Sequence, residues 1–370
     1  MSSSWRIGRV FGIDVFMHVT FLLLLGWIAA GHVMRGEGLA AALGGVLFTI
    51  GLFAIVVMHE LGHALTARRF GIQTKDITLL PIGGVARLER MPDDPTQELL
   101  VALAGPAVNV VLAALVYVAV RATGGDLGVE ALTGGDLLAR LFWVNVSLAV
   151  FNLLPAFPMD GGRALRAILA MKHGAVKATQ IAAKLGQAMA VLLGLVGLLV
   201  NPMLVLVALF VWIGAASERG MVEAKASLDG VRVEAAMQRA IRALGPYDPL
   251  SAAGTELLAG SQVDFPVIDE VGHVVGMLSR AELVRGLSTL GPNAPVHTVM
   301  TRAFATADPV EPLELAVARL RESDLQAVPV LSGGVLVGML TMDNVGELLM
   351  LRNALQLAAE RARMGHASHA

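Results

Sequence analysis

Residues 39–58 are the apolar stretch that most restricts how this chain can fold. They are 20 consecutive residues without a charged side chain, enough for a helix to cross the hydrocarbon core of a bilayer. The stretch runs directly into His59-Glu60-Leu61-Gly62-His63. In a helix, this H-E-x-x-H spacing places two imidazoles on one face, as half of a zinc shell, with a carboxylate beside them. The sequence predicts a metal site ending a membrane span. The alternative is a chance pentapeptide at a helix C-terminus, where histidine is favourable.

Composition also indicates a membrane protein. The chain has 370 residues, 55% of them hydrophobic, and a mean hydropathy of +0.68, which is too apolar for an ordinary soluble protein. Regular charge appears only from Glu218 onward, which predicts a soluble region there. Six spans are expected, the last two short and paired through Asn201-Pro202: Val15–Met34, Leu39–Met58, Leu99–Val120, Leu141–Pro158, Gln187–Val200 and Pro202–Ala216.

Lysine and arginine in the predicted loops indicate the orientation, because cytoplasmic loops carry an excess of them. One side holds most of these residues, and the other holds only Arg35, Arg121 and Arg140. Both termini and the soluble region are therefore expected in the cytoplasm. His59 and His63 would lie near the cytoplasmic face of the cell membrane.

A second unusual stretch, Asn152-Leu153-Leu154-Pro155-Ala156-Phe157-Pro158-Met159-Asp160-Gly161-Gly162, offers a third metal ligand. The chain has no cysteine, so its metal ligands must be His, Asp or Glu. The prolines break the helix, and the glycines let the backbone approach other groups closely. The predicted topology puts Asp160 at the same membrane depth as the histidines, although Asp160 could instead be the N-cap of a following helix. Asn109, polar at membrane depth, is expected to hydrogen-bond an adjacent helix or the catalytic helix.

Between Phe70 and Asp94 the chain is predicted to be extended. Two strand-like runs, 77–80 and 85–88, flank Pro81-Ile82-Gly83-Gly84. One interpretation is a surface hairpin that only connects spans. The other is a sheet edge to which an extended peptide adds as a further strand. Peptide cleavage favours the second interpretation, since a helical carbonyl is hydrogen-bonded and sterically covered.

These motifs together resemble the site-2 protease family of intramembrane zinc metalloproteases, over residues 1–217. The resemblance implies that His59, His63 and Asp160 bind one zinc ion and that Glu60 is the general base. It implies that Asn152 helps to hold substrate near the metal. It also implies that Pro81-Ile82-Gly83-Gly84 belongs to a substrate-presenting hairpin, with Gly83 and Gly84 in contact with substrate.

The soluble region contains an internal repeat. Phe265-Pro266-Val267 and Val328-Pro329-Val330 match at an offset of 63 residues, as do Val233-Glu234-Ala235-Ala236-Met237 and Val296-His297-Thr298-Val299-Met300. Strand pairs with flanking helices predict two packed α/β modules.

The repeat resembles a tandem pair of cystathionine-β-synthase-type (CBS) domains. The resemblance implies binding of ATP or another adenine nucleotide, with an aspartate holding the ribose. Here the matching positions are Glu282 and Asn344, a departure that leaves open a purely structural or dimerising role.

The fold class expected is therefore a polytopic α-helical membrane domain followed by a cytoplasmic α/β CBS-domain pair. The predicted boundaries are 1–217 for the protease domain, 218–230 for a linker, 231–290 and 291–350 for the repeats, and 351–370 for a tail that continues as a polar helix.

The function expected is intramembrane zinc endopeptidase activity on single-span membrane proteins within the lipid bilayer, in regulated intramembrane proteolysis. A homodimer through the CBS pair is a further expectation, and no basic block suggests a nucleic-acid partner. One alternative is a CBS-regulated channel or transporter, although the spans hold few charged residues near their centres. Another is a non-catalytic membrane scaffold, although such a scaffold has no need of Glu60.

Overall fold

The computed structural model describes residues 4–81, 83–128, 136–260, 262–323 and 325–367. Ile82 of the predicted hairpin and residues 368–370 of the predicted tail lie outside this range. The chain divides into two compact units, Met1–Val222 and Glu223–Ala370.

In the described part of the first unit, a four-stranded sheet accompanies seven helices. The strands are β1 (Ser4–Val10), β2 (Ile13–His18), β3 (Thr74–Leu80) and β4 (Gly83–Leu88). The helices are α1 (Val19–Met34), α2 (Gly38–Arg69), α3 (Pro95–Ala122), α4 (Leu137–Asn152), α5 (Asp160–His173), α6 (Ala175–Val200) and α7 (Met203–Leu228), the last of which continues into the second unit. Local signals explain several ends: Asp94 caps α3 by accepting from Thr96 N at 2.7 Å, and Gly174, with φ of 75°, separates α5 from α6.

The sheet has the strand order β1-β2-β3-β4, with β2 and β3 parallel and the outer pairs antiparallel. Ile13 of β2 and Ile77 of β3 pack against Leu61 and Ala64 of α2, so the sheet lies against the helix that carries the H-E-x-x-H sequence. The predicted hairpin is confirmed, with Leu80 paired to Gly83. Because β4 is the last strand in this order, one of its edges has no partner strand among the described residues.

The first predicted span is wrong in its bounds. The segment from Val15 to His18 belongs to β2, and α1 begins only at Val19. Ile13 and Val15 are buried and alternate with less buried residues, the period of a strand. Besides β1, the strand pairs with β3, which follows about 60 residues later.

Four helices in the described residues are long and apolar enough to cross a membrane: Gly38–Arg69, Pro95–Ala122, Ala175–Val200 and Met203–Leu228. The predicted count of six is not confirmed, because α1 and α4 are shorter apolar helices. The fourth predicted span ends at Asn152, before both prolines. The last two were predicted too short. Each is a 26-residue helix, because lysine-bearing turns precede the apolar part of α6 and charged turns follow that of α7.

The second unit contains two β-hairpins with flanking helices. Its elements are β5 (Asp264–Ile268), β6 (Val274–Ser279), β7 (Ala327–Ser332) and β8 (Val335–Thr341), with helices α8 (Leu250–Ala259), α9 (Arg280–Leu290), α10 (Leu313–Glu322) and α11 (Met342–Ala367). The polar tail helix is confirmed by α11, which extends to residue 367.

The two repeats interlock reciprocally. A Cβ on Gly338 would lie 2.8 Å from the sulfur of Met237, and a Cβ on Gly276 would lie 2.5 Å from that of Met300. Each methionine thus occupies space left by a glycine in the other repeat, which explains why both residue types recur.

Candidate metal centre

His59 and His63 lie one helical turn apart on α2, and their side chains face the same way. Both are buried, and their ring centroids are 4.8 Å apart. The two Nε2 atoms are separated by 3.1 Å. The i, i+4 spacing that the sequence displays therefore produces a converging pair of imidazoles.

Asp160 reaches this pair from a segment 97 residues away from His63. It lies in the first turn of α5, and Met159 is the N-cap, so the interpretation of Asp160 as a helix cap is wrong. A Cβ on Gly161 would meet Leu153 O at 2.3 Å, and one on Gly162 would meet the carbonyl carbon of Ala156 at 2.5 Å. The two glycines therefore let the start of α5 press against the preceding loop.

The three side chains fit a tetrahedral metal ion. Asp160 Oδ2 lies 3.1 Å from His63 Nε2 and 3.2 Å from His59 Nε2. Ligands held about 2.0–2.1 Å from a tetrahedral zinc ion are separated by about 3.3 Å, close to all three distances. Among the described residues, these three side chains form the one group of three or more potential ligands that could hold a metal ion, and all three are buried.

The hydrogen bonds behind the histidines set their tautomers. The carbonyl of Leu141 can only accept, so Asn145 donates to it from Nδ2 at 2.9 Å and presents Oδ1 to Asn109. Asn109 then donates Nδ2 at 3.1 Å and turns its own Oδ1 to His59 Nδ1, at 2.5 Å. His59 therefore carries its proton on Nδ1 and directs the lone pair of Nε2 toward the metal position.

His63 is held in the same tautomer, because its Nδ1 donates to the carbonyl of Val101 at 2.7 Å. Two imidazole lone pairs and a carboxylate oxygen thus face one another, and a cation would satisfy all three. The expectation that Asn109 bonds the catalytic helix is confirmed. Asn145 was missed, although an amide side chain in the otherwise apolar sequence of α4 was a visible signal. In the structure this residue is 1% exposed.

Gly105 makes room for the cluster, and the sequence showed it only as one small residue among several. A Cβ there would lie 2.2 Å from His63 Nε2 and 2.7 Å from His59 Nε2. On the facing helix, a Cβ on Gly62 would lie 2.8 Å from Ala104 O. Helices α2 and α3 therefore approach through one glycine from each.

The side chain of Glu60 extends from α2 to the edge of β4 that has no partner strand among the described residues. Its Oε2 accepts from the Ala86 N–H at 3.3 Å. Gly84 allows this approach, since a Cβ there would lie 2.8 Å from Val56 Cγ1 and 3.1 Å from Glu60 Cγ. The carboxylate next to the histidines thus also contacts the strand edge.

The other predicted site residues lie apart from this contact network. Asn152 donates Nδ2 to Leu148 O at 3.0 Å, within its own helix. In the second unit, Glu282 forms a capping box with Ser279, and its other oxygen accepts from Thr301. Asn344 accepts from the Thr341 hydroxyl at 2.8 Å and lines a cavity of about 830 Å³.

Three buried metal-ligand side chains and an adjacent carboxylate, within a unit rich in membrane-length helices, define a membrane metallohydrolase. Residues 47–135 and 131–193 match the model of peptidase family M50, and residues 296–350 match that of the CBS domain. The zinc metalloprotease MJ0392 of Methanocaldococcus jannaschii is 32% identical over 346 residues, covering 93% of this chain and 96% of that protein. The Mycobacterium tuberculosis protein Rip3 is 29% identical over 385 residues, covering 94% of this chain and 93% of its own.

Among solved structures, the site-2 protease from Methanocaldococcus jannaschii is 40% identical, covers 58% of this chain and 95% of its own, and gives a TM-score of 0.44. The chain belongs to peptidase family M50, the site-2 proteases, and it is a membrane-embedded zinc metalloprotease with a C-terminal CBS-domain pair. The transporter and scaffold alternatives are thereby set aside.

Proposed function

We propose that this protein is an intramembrane endopeptidase that cuts the transmembrane segments of single-span membrane proteins. In this proposal His59, His63 and Asp160 hold one zinc ion and Glu60 is the general base. The observation that carries it is the convergence of two imidazole lone pairs and a carboxylate oxygen within 3.2 Å of one another.

The roles of the side chains follow from their contacts. A zinc ion held there would supply a Lewis acid that lowers the pKa of water and polarises a peptide carbonyl. Glu60 would accept the proton of the attacking water and deliver it to the leaving amine. Asn109 and Val101 O fix the Nδ1–H tautomer and the ring orientation of the two imidazoles, so that each Nε2 faces the metal position. The burial of the cluster limits access of bulk water to the reacting groups.

The substrate would bind as an extended strand along the free edge of β4. The Ala86 N–H that bonds Glu60 points to that edge, so a strand paired there would pass beside the base and the metal. Gly83, with φ of 141°, and Gly84 shape the start of this edge, and Asn152 is proposed to assist from the end of α4. Cytoplasmic placement of the site and both termini, and the domain boundaries given above, belong to the same proposal.

Metal removal tests the activity. The full-length chain in liposomes should cleave at least one member of a set of single-span reporters, and a zinc chelator should abolish cleavage. Returning one equivalent of zinc should restore it, whereas magnesium should not, because the ligands include two imidazoles. Cleavage that persists in a protein verified to be free of zinc would contradict the proposal.

The cavity beside Asn344 supports a second, regulatory role for the CBS pair. Among its described lining residues are Asp343, Glu347 and Asp264 but no lysine, arginine or histidine. Burial raises the pKa of the Asp264 carboxyl, which accepts from Gln326 N at 2.7 Å. We propose that an adenine nucleoside or weakly charged nucleotide binds here, with Asn344 near the ribose, and that the pair also forms a homodimer. The role of Glu282 as a ribose acceptor stays a prediction.

The charge of the cavity gives the test. In calorimetric titrations of the full-length chain, adenosine should bind more tightly than ATP, because carboxylates repel a triphosphate. Asn344→Leu should weaken adenosine binding, and Asn201→Leu, in the α6–α7 connection, is the matched control. Tighter binding of ATP, or no binding of either compound, would favour a purely structural pair.

A further inference from the structure

Three charged residues, two of them buried and one half-buried, join three helices of the first unit and take no part in the proposed chemistry. Arg166 of α5 donates from Nε to Glu98 Oε1 of α3 at 2.7 Å, and its Nη2 donates to the same oxygen. Its Nη1 donates to Glu218 of α7. The side chains are 8%, 10% and 17% exposed for Arg166, Glu98 and Glu218. We refer to these three residues as the clamp.

Stability alone does not explain the clamp. Burying charges carries a large desolvation penalty, and apolar residues of similar volume often stabilise a protein as well or better. Hydrogen bonds to a rigid guanidinium do, however, fix direction, because its donors form a planar fork. The clamp is therefore better explained by the fixed orientation that it gives to the three helices than by a contribution to the free energy of folding.

The clamp acts on the segment that presents Asp160. Arg166 follows Asp160 by six residues on the same helix, α5. Fixing Arg166 therefore restricts the rotation of α5 about its axis and its translation along it, and with them the position of Asp160. The guanidinium carbon of Arg166 also lies 5.6 Å from the ring centroid of Phe157. Phe157 is fully buried in the loop that leads into Asp160. One side chain thus contacts the loop before Asp160 and is anchored to two other helices.

We propose that Arg166 is a positioning residue for the metal site, and that through Glu218 it makes metal affinity depend on the placement of α7. This inference rests on the proposed function, in which Asp160 is the third zinc ligand. Helix α7 runs without interruption from Glu218 to the boundary of the second unit at Glu223. A shift of α7 would therefore act on the Asp160 carboxylate through Glu218 and Arg166.

Conservative substitutions test the clamp in the full-length protein. Arg166→Lys keeps the charge but loses the fork, and Glu218→Gln keeps an acceptor oxygen but loses the charge. Matched controls are Arg121→Lys, at the exposed end of α3, and Glu89→Gln, an exposed glutamate just beyond β4. Zinc affinity is measured by chelator competition, and ligand geometry by the visible spectrum of the cobalt-substituted protein. Size-exclusion chromatography and thermal unfolding report whether each variant is folded.

We expect both clamp variants to bind zinc roughly 10–100-fold more weakly, the range for changes to groups that orient metal ligands. Their cobalt spectra should shift, and both controls should match wild type. If the folded Arg166→Lys and Glu218→Gln proteins have the zinc affinity and cobalt spectra of the wild-type protein, the clamp proposal is wrong. The proposed metal site would still stand in that case, because the wild-type protein binds zinc. If wild type itself binds no zinc, the proposed metal site fails, and the clamp fails with it.

A charge-free variant covers the case in which the single variants do not fold. Arg166→Met combined with Glu98→Gln and Glu218→Gln leaves no unpaired buried charge, so the helices should still pack. It should show the same loss of zinc affinity, since the guanidinium hydrogen bonds that fix the direction of α5 are then absent. Wild-type affinity in this variant would also overturn the proposal.

Discussion

Glu60→Gln should abolish most cleavage while zinc stays bound. The amide has the shape of the carboxylate, and its oxygen can still accept from the Ala86 N–H, which lies 3.3 Å from Glu60 Oε2. It cannot take a proton from water, so the step assigned to Glu60 loses its base. General-base catalysis typically contributes about 10²–10⁴-fold, and we expect a loss of that size in kcat. Cleavage of a single-span reporter in liposomes is measured at equal, verified zinc content.

The control for this substitution is Glu89→Gln, an exposed glutamate just beyond β4. It should retain wild-type kcat. Loss of zinc from Glu60→Gln would show that Glu60 is a metal ligand rather than the base. Full activity with zinc bound would assign the base to another group.

Gly105→Ala should prevent zinc binding without unfolding the protein. The added methyl would lie 2.2 Å from His63 Nε2 and 2.7 Å from His59 Nε2, so at least one imidazole has to turn away. Removing groups that only orient ligands already weakens metal affinity by about 10–100-fold, and displacing a ligand should exceed the upper end of that range. Alanine is favoured over glycine inside a helix by about 1 kcal/mol, so α3 itself is not weakened. Zinc content after dialysis and chelator competition measure the effect.

Gly44→Ala is the matched control, because it lies in α2 and an added Cβ there meets nothing within 4 Å. In the presence of chelator, both variants should still unfold in one cooperative transition, which shows that each is folded. Stoichiometric zinc in Gly105→Ala would mean that the histidine nitrogens do not face α3, and the proposed ligand geometry would be wrong.

The local parts of this protein were predictable because their geometry depends on neighbours in sequence. His59 and His63 share a face through helical periodicity alone, and the hairpin of β3 and β4 follows from two short runs around a glycine-rich turn. The duplicated repeat was visible as matched residues, of which Met237 and Met300 proved to pack reciprocally. Strand β2 was missed as part of the first predicted span, because its pairing with β3 involves a distant part of the chain.

The sequence by itself determined the chemistry available: two imidazoles at helical spacing, an adjacent carboxylate and a glycine-flanked aspartate, set among apolar helices. Only the tertiary structure decided which distant groups complete the site. Asp160 lies 97 residues from His63, and Asn109 lies 50 residues from His59. Gly105 matters because of what lies across the gap between two helices. Such contacts depend on how segments pack, and packing is set by the whole set of interior surfaces rather than by any one stretch of sequence.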